Sequence, residues 1–205
     1  MSFNAKKYDK LYPNRNGELD FLLKHLKGKT VLDVGGGTGI ISEALNKRGF
    51  KCWNVEPQEE MCQVSSGRRV YTICAGIENV SFLDRIFDNA IMVFDVFNFL
   101  IDPKKALVNI GQYLNKKGRL IFTYWNSGVK RSGWNFNWKL KRITKKRWKG
   151  NKVEIDFWFP FFHEHHIMTV YSDKVIREML VTSGFKVLAK QREKFTTKII
   201  AEKCA

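Results

Sequence analysis

The chain has 205 residues, of which 44% are hydrophobic and 27% are charged, and its formal net charge is +16. This length suits a single domain with its own core, and the composition is that of a soluble globular protein. The N-terminus lacks the apolar stretch of a signal peptide. The longest apolar run, residues 91–101, is interrupted by Asp95 and Asn98 and is too short to span a bilayer. We therefore expect a cytoplasmic protein.

The four cysteines show no paired metal-ligand spacing and are too few for a disulfide framework. We therefore expect reduced thiols at all four positions, which are Cys52, Cys62, Cys74 and Cys204.

A β/α alternation runs through the first 125 residues and predicts a parallel sheet with helices on both faces. The continuously apolar segment 87–94 is typical of a strand that is buried on both sides. In chain order we predict a helix over 18–26, a strand over 30–34, a helix over 38–47, strands over 51–55, 70–73 and 87–94, a helix over 103–114, a turn at Lys117-Gly118 and a strand over 119–124.

After this alternation the composition changes. Residues 126–153 contain ten Lys or Arg, three Trp and no acidic residue. Beyond them, residues 154–170 are predicted to be extended, with a turn near Pro160. A helix over 173–182 is expected next, capped by Ser172 and ended by Gly184, and two strands over 186–190 and 197–201 complete the chain. We interpret residues 1–205 as one domain that carries a basic insertion after its fifth strand.

The most informative segment is the stretch 31–39, VLDVGGGTG, in which a buried strand leads into a glycine-rich turn and then a helix. Glycines there allow positive φ angles and let the backbone approach a ligand closely. A dinucleotide fingerprint has the spacing G-x-G-x-x-G, whereas here the spacing is G-x-G-x-G. Asp33 precedes the first glycine by two residues, where it would repel a pyrophosphate but attract an ammonium group. The pattern therefore favours S-adenosylmethionine over a dinucleotide.

The second strand ends at Glu56, which is followed by Pro57 at the start of the next helix. A carboxylate at the tip of this strand can accept hydrogen bonds from both ribose hydroxyls of a nucleoside. The alternative is an ordinary surface acid that interacts with the helix dipole. Its place after the glycine turn favours the first interpretation.

With these motifs the chain resembles the class I S-adenosylmethionine-dependent methyltransferases over nearly its whole length. Motif I corresponds to Asp33 and the glycine turn, motif II to Glu56, and motif IV to residues 87–88 and 94–100. The resemblance implies a Rossmann-like, seven-stranded, mostly parallel sheet whose last strand is antiparallel, with helices on both faces. It implies S-adenosylmethionine as the cofactor, and the residues expected to bind it are Asp33, Gly35, Gly36, Gly37, Gly39, Glu56, Ile77, Asp95 and Tyr12.

One departure from the family pattern concerns the adenine. Relatives have an aspartate-alanine pair where this chain has Gly76-Ile77. The expected adenine contacts are therefore the Ile77 backbone and Glu78. Tyr8 and Tyr12 lie in the N-terminal segment, residues 1–29, which in many relatives folds over the cofactor. Packing of these two tyrosines against the sheet edge is the alternative.

Methyl transfer requires a nucleophile held in line with the methyl group and, for a hydroxyl or an amine, the loss of a proton. Asp95 follows the fourth strand, where ligands bind in such sheets, so it is a candidate catalytic or cofactor-binding residue, unless it only caps the next turn. In a strand, His163 and His165 share one face. His165 is the second catalytic candidate; the alternative is a solvated strand face. With two histidines per face and no nearby cysteine, we predict no metal site.

The motifs of several methyltransferase subclasses are absent, which leaves N- or O-methylation of an unassigned acceptor. The segment 94–100, residues 164–166, Tyr171 and residues 184–185 resemble small-molecule enzymes that methylate sugars, many of them nucleotide-linked. Two other functions stay open. One is RNA methylation, with Trp134, Phe136, Trp138 and Trp148 stacking on bases, and the other is a non-catalytic cofactor-binding protein, against which the intact motif I and Glu56 argue.

The basic insertion supplies +10 of the net charge of +16. Because so many like charges repel one another, we predict that residues 126–153 form a wall of the substrate site and that the substrate is anionic. Trp134 and Trp138 are spaced to share a helical face, a pattern that also suits RNA or peripheral contact with an anionic membrane. The charges come from Lys130, Arg131, Lys139, Lys141, Arg142, Lys145, Lys146, Arg147, Lys149 and Lys152.

Overall fold

The computed structural model describes Ala5, Asp9 and residues 16–81, 85–126, 133–137, 142–159 and 162–204. Up to residue 125, helices alternate with strands as predicted, and further strands then form a second sheet. The elements are α1 (Asn16–His25), β1 (Thr30–Val34), α2 (Ile40–Asn46), β2 (Lys51–Glu56), α3 (Glu59–Gly67), β3 (Tyr71–Cys74), the 3-10 turns η1 (Ile77–Asn79) and η2 (Val96–Phe99) on either side of β4 (Phe87–Met92), α4 (Pro103–Gln112), β5 (Leu114–Trp125), β6 (Gly133–Asn137), β7 (Arg142–Lys149), β8 (Lys152–Phe159), β9 (Phe162–Thr169), α5 (Asp173–Thr182), β10 (Phe185–Arg192) and β11 (Thr196–Lys203).

The main sheet has seven strands in the order β10-β11-β5-β4-β1-β2-β3. In this order, β5, β4, β1 and β2 each pair in parallel with the next strand. β11 pairs antiparallel with both β5 and β10. The predicted sheet, with its antiparallel final strand, is therefore confirmed. Since parallel strands all point the same way, the loops after β1, β2 and β4 gather at one edge of the sheet.

Helices cover both faces of this sheet. On one face, Leu22 of α1 packs with Ile41 and Leu45 of α2 in a buried cluster. On the other face, Leu107 of α4 and Leu180 of α5 pack in the largest buried cluster. Apolar residues that contact both layers explain why β4 has the continuous apolar pattern of a central strand.

The fifth strand is longer than predicted. It begins at Leu114 and includes the expected turn at Lys117-Gly118, where Lys117 has a φ of 60°. Its pairing with β4 shifts between Phe87 and Asn89, which is the signature of a β-bulge or similar irregularity. The turn residues therefore produce an irregularity inside a strand and not the end of one.

The basic segment contributes strands to a separate four-stranded antiparallel sheet, in the order β6-β7-β8-β9. Trp134 lies in β6, so the predicted helical face shared with Trp138 was wrong; Trp138 itself lies outside the described residues. A spacing of four residues places two side chains on one face of either a helix or a strand, so the spacing could not distinguish them. The predicted extended region is confirmed as β8 and β9, and the turn predicted near Pro160 lies outside the described residues.

One buried side chain ties the small sheet to the main sheet. Asn98, in η2, accepts a hydrogen bond from the Trp125 backbone N–H at 2.8 Å and donates one from Nδ2 to the Thr169 carbonyl at 2.8 Å. Trp125 ends β5 and Thr169 ends β9, and Trp125 also packs against the buried cluster of the small sheet. The end of β9 is therefore held beside the loop that follows β4.

The expectation of four reduced cysteines was wrong for two of them, because Cys62 of α3 and Cys74 of β3 form a disulfide. Packing of α3 on β3 brings their Cα atoms to 5.8 Å, within the range that a disulfide requires. The two cysteines are 12 positions apart in the sequence, and nothing in that spacing indicates that they lie close together. Cys52 and Cys204 are free thiols.

Within the described residues, no helix has the length and apolar character needed to cross a membrane.

Candidate active site

A cavity of about 940 Å³ lies at the carboxyl edge of the main sheet. Its inner end is formed by the loop after β1 and by the ends of β2 and β4, and its outer wall is formed by β9. The residues at the two ends differ in chemistry: carboxylates and glycine backbone at one, imidazoles and apolar rings at the other. The residues that line the cavity include Asp33, Gly35, Gly36, Glu56, Ile77, Glu78, Phe94, Phe99, Ile101, His163, His165 and His166.

The glycine turn after β1 adopts a backbone that other residues rarely adopt. Gly35, Gly37 and Gly39 have φ angles of 66°, 57° and 74°. At Gly36 the constraint is space, because a Cβ would lie 2.5 Å from Asn54 Oδ1 and 2.6 Å from Asp33 Oδ2. The motif therefore serves the turn itself and leaves its backbone bare where a ligand can approach.

Asn54 holds this turn in place, a role that our sequence analysis missed. Its Oδ1 accepts from the Gly36 N–H at 3.1 Å, and its Nδ2 donates to the Gly37 carbonyl at 3.1 Å and to Ser65 Oγ at 2.9 Å. A polar residue inside a buried strand, on the same face as Glu56, was the available signal.

The two predicted carboxylates, Asp33 and Glu56, both lie in the cavity wall and are buried. Asp33 Oδ2 accepts from Ser42 Oγ at 2.7 Å. The two Glu56 oxygens accept from the backbone N–H groups of Gly37 and Gln58, each at 3.0 Å. Burial raises the pKa of Glu56, and these two hydrogen bonds oppose that rise.

The remaining predicted cofactor contacts divide into two groups. Ile77 in η1 is buried in the cavity wall, and Glu78 beside it accepts from the Ile101 N–H at 3.2 Å. Both residues line the cavity, and their contact with adenine stays a prediction. Tyr8 and Tyr12 fall outside the described residues.

Asp95 lies in a strained loop at the end of β4. Phe94 and Asp95 both have left-handed backbone conformations, with φ angles of 58° and 64°, and each such residue costs of order 1–2 kcal/mol. Phe94 and Val96 line the cavity. The Asp95 carboxylate hydrogen-bonds to Trp125, and the neighbouring charges are those of Glu18 and Glu193. Burial, followed by these two glutamates, raises the pKa of Asp95 to about 7.

The histidines of β9 meet a buried carboxylate on β8. Asp156 stands opposite His165 in the antiparallel pair, and its Oδ1 lies 2.9 Å from His165 Nδ1 and 3.2 Å from His163 Nε2. Arg147 Nη2 lies 3.0 Å from Asp156 Oδ2. The hydrogen bond from His165 is the largest cause that lowers the pKa of Asp156, with His163 and Arg147 adding to it against the effect of burial.

Asp156 is therefore ionised at neutral pH and can only accept hydrogen bonds. It follows that the ring nitrogens facing it carry the protons: Nδ1 of His165 and Nε2 of His163. His165 Nε2 is then left as an acceptor. Asp156 was not predicted from the sequence, although the pairing of β8 with β9 places it opposite His165. Among the described residues, no set of three or more His, Cys, Asp or Glu is arranged to hold a metal ion.

The basic segment, residues 126–153, was predicted to form a wall of the substrate site. In its described part, no Lys or Arg lines the cavity. Lys145 Nζ lies over the ring of Trp134 and Lys146 Nζ over the ring of Trp125, while Arg147 pairs with Glu154 and Asp156.

A family model described as a methyltransferase domain matches residues 8–190. The chain belongs to this methyltransferase family. It is 29% identical over 131 residues to a ubiquinone biosynthesis O-methyltransferase of Idiomarina loihiensis, a match that covers 61% of this chain and 54% of the relative. The chain thus spans about half the length of the curated relatives it matches.

Solved structures share the fold of this methyltransferase. An S-adenosylmethionine-dependent methyltransferase from Clostridium acetobutylicum superposes with a TM-score of 0.76 at 20% identity, covering 100% of this chain and 94% of the other. CalS10, an amino pentose methyltransferase from Micromonospora echinaspora solved with its cofactor bound, superposes with a TM-score of 0.72 at 15% identity, covering 99% and 92%. At these identities the likeness concerns the fold alone.

Replacing Asp95 by Asn is expected to stabilise the protein at pH 8. The folded-state pKa of about 7 lies above the ordinary value of 3.8, so the native state retains a proton that the unfolded state has lost. Wild-type stability therefore falls as the pH rises through this window, and Asp95→Asn removes that fall. Urea unfolding at pH 5 and pH 8 measures the difference, with the exposed Asp20→Asn as control. A variant less stable than wild type at pH 8 would contradict this account of Asp95.

Proposed function

We propose that this methyltransferase transfers the methyl group of S-adenosylmethionine to a hydroxyl or amine of a small molecule held between the glycine turn and β9. When bound, the cofactor supplies a methyl group on a positively charged sulfur. The observation that carries the proposal is one continuous cavity with buried carboxylates at one end and an imidazole held by a carboxylate at the other.

The chemistry of the inner end fits the cofactor. The buried carboxylate of Asp33 would hold the ammonium group, and the free lone pairs of the Glu56 oxygens would accept from the ribose hydroxyls. Gly35 and Gly36 line the cavity, and the proposed path of the cofactor chain runs beside this turn, which also includes Gly37 and Gly39. Ile77 would contact the adenine. Tyr12 of the N-terminal segment is proposed to cover the bound cofactor.

The outer end fits a general base. Asp156 fixes the tautomer of His165, so that Nε2 has a lone pair for the proton of an acceptor hydroxyl. His165 is therefore the proposed catalytic residue, and Asp156 is its positioning residue. The Idiomarina loihiensis relative is named as an O-methyltransferase, and a hydroxyl acceptor agrees with that name.

Asp95 is the second proposed catalytic residue. It stands between two cavity-lining residues in a strained loop, and backbone strain of this kind clusters at functional sites. Asp95 itself does not line the cavity, so we propose that it acts from the loop between these two residues. Because burial raises its pKa to about 7, it can either accept or retain a proton near neutral pH.

The charge of the acceptor is a finer proposal: we infer an anion, of which a nucleotide-linked sugar is one form. The support is the net charge of +16 and the lysines of β7 on the small sheet. Because these lysines lie outside the cavity wall, their role would be to attract the substrate from solution and not to grip it.

The deciding experiment is incubation with labelled S-adenosylmethionine and cell extract, followed by separation of the products. Label in the small-molecule fraction supports the proposal. Label in RNA supports the alternative, for which the stacked Trp134 and Trp158 are the specific observation, and label in lipid supports an acceptor at a membrane surface.

Cofactor binding is expected to depend on both carboxylates. By calorimetry, S-adenosylhomocysteine should bind with one-to-one stoichiometry, and Asp33→Asn and Glu56→Gln should each lose about 1.5–3 kcal/mol, the usual contribution of hydrogen bonds to a charged group. Glu59→Gln, on the exposed start of α3, is the matched control and should bind as wild type does. Tight binding of NAD, or indifference to both substitutions, would refute the assignment.

Turnover is expected to depend on His165 through Asp156. His165→Gln should lower kcat by about 10²- to 10⁴-fold. Asp156→Asn should lower kcat nearly as much, because its amide can donate to Nδ1 and so favours the tautomer that protonates Nε2. Both should abolish the acidic limb of the pH–rate profile, which a merely structural role would not do.

Glu154→Gln is the control for Asp156→Asn, since Glu154 also pairs with Arg147, and its other ion-pair partner among the described residues is Lys149 and not a histidine. It should retain the wild-type rate and pH profile. Asp95→Asn should also lower kcat, despite its greater stability at pH 8. Wild-type rates at every pH in His165→Gln would remove the base from the mechanism.

An anionic acceptor predicts a shallow dependence of kcat/KM on salt, whereas RNA predicts a log–log slope near −0.7 per contacted phosphate on a single strand. Lys145→Gln combined with Lys146→Gln should raise KM and leave cofactor affinity unchanged. Arg147 is left intact because it pairs with Asp156. The control combines Lys116→Gln with Lys174→Gln, two exposed lysines elsewhere, and an equal effect of both pairs would contradict the steering role.

A further inference from the structure

Three aromatic side chains form a stack across the outward face of the small sheet. The Trp134 ring of β6 stacks on Trp158 of β8 with centroids 5.3 Å apart and an interplanar angle of 24°. Trp158 stacks in turn on the His163 ring of β9, at 5.0 Å and 22°. Since Trp158 and His163 are directly opposite in the antiparallel register, both side chains project from the same face.

The stack leads to the cavity. In the described sheet β9 is the edge strand, and His163 lines the cavity wall with 45% of its side chain exposed. Trp158 covers one face of the imidazole, and the Asp156 carboxylate holds its Nε2 at 3.2 Å. The next position in the stack therefore lies beyond β9, inside the cavity, against a ring whose orientation is already fixed.

The neighbouring cavity walls are apolar and aromatic. Phe94, Phe99 and Ile101 all line the cavity and are among the exposed large hydrophobic residues of the chain, Ile101 at 96%. Phe99 also meets the His166 ring edge-to-face at 5.7 Å. An apolar cavity wall suits a flat apolar ligand better than a sugar, whose hydroxyls would face Phe94 and Phe99 without partners.

We propose that the acceptor is a planar aromatic ring bearing a hydroxyl group, and that it binds by stacking on His163 with its hydroxyl directed to His165 Nε2. This inference rests on the proposed function and names its substrate class. The ring oxygen forms a bond to the methyl carbon as the carbon–sulfur bond of the cofactor breaks. The hydroxyl proton passes to His165, and the products are an aryl methyl ether and S-adenosylhomocysteine. The negative charge inferred above is then that of a carboxylate on the ring.

The test compares two ligands that share a carboxylate and a hydroxyl at opposite ring positions, one with a planar aromatic ring and one with a saturated ring: 4-hydroxybenzoate and cis-4-hydroxycyclohexanecarboxylate. Each is titrated by ligand-observed NMR into the full chain saturated with S-adenosylhomocysteine, so that neither can occupy the cofactor end. Stacking of an aromatic pair contributes enough to predict an affinity at least about three-fold greater for the planar ligand. Saturation is verified first, and failure to bind S-adenosylhomocysteine would count against the proposed function rather than against this inference.

Variants then test whether the preference for the planar ligand depends on the ring of His163. His163→Ala should reduce it to near one, and His163→Phe, which keeps a stacking ring, should retain it. Phe195→Ala is the control, because Phe195 is a half-exposed ring with Lys194 Nζ over it at a remote hairpin. Retained S-adenosylhomocysteine binding shows that each variant is folded.

The comparison of the two ligands in wild type stands even if a variant fails to fold. The proposal is overturned by equal affinities in wild type, by no binding of 4-hydroxybenzoate at millimolar concentration, or by a preference that survives in His163→Ala. Tighter binding of uridine diphosphate would overturn it in favour of a nucleotide-linked acceptor. Tighter binding of a single-stranded RNA oligomer would favour RNA. A dimer in analytical ultracentrifugation that Trp134→Ala dissociates would make the stacked face a contact with a second copy.

Discussion

Asn98 is the side chain on which the shape of the site depends. It is buried, it accepts from the Trp125 N–H at the end of β5, and it donates to the Thr169 carbonyl at the end of β9. These two hydrogen bonds hold the ends of β5 and β9 in fixed positions relative to η2, because breaking either one would leave a buried polar group without a hydrogen-bond partner. The small sheet is thereby held beside the loop after β4, and its edge strand becomes the outer wall of the cavity.

This arrangement separates the protein's charge into distinct regions. Carboxylates dominate the inner end of the cavity, where Asp33 and Glu56 are buried. The described lysines of β7 lie over tryptophan rings outside the cavity, and Arg147 is neutralised by Glu154 and Asp156. A strongly basic chain can therefore have a pocket whose inner end is lined by carboxylates, because the described lysines of β7 lie outside it.

Local patterns predicted most of the main domain. The β/α alternation, the glycine turn and Glu56 are features of short segments whose conformation follows from neighbouring residues, so they could be identified without tertiary information. The extended region of β8 and β9 belongs to the same class. The helix that we expected at Trp134 and Trp138 was wrong because a spacing of four residues is compatible with both helix and strand, and only pairing with β7 decides between them.

The sequence by itself determined the fold class, the glycine-rich turn after the first strand and the extended segment that carries the histidines. Only the tertiary structure decided which partners those side chains have. Asp156 faces His165 because of the register of two strands, Cys62 meets Cys74 because α3 packs on β3, and Asn54 clamps the glycine turn because β1 and β2 pair side by side. The physical reason is that backbone conformation is set largely by near neighbours, whereas side-chain contacts across strands and layers depend on register and packing.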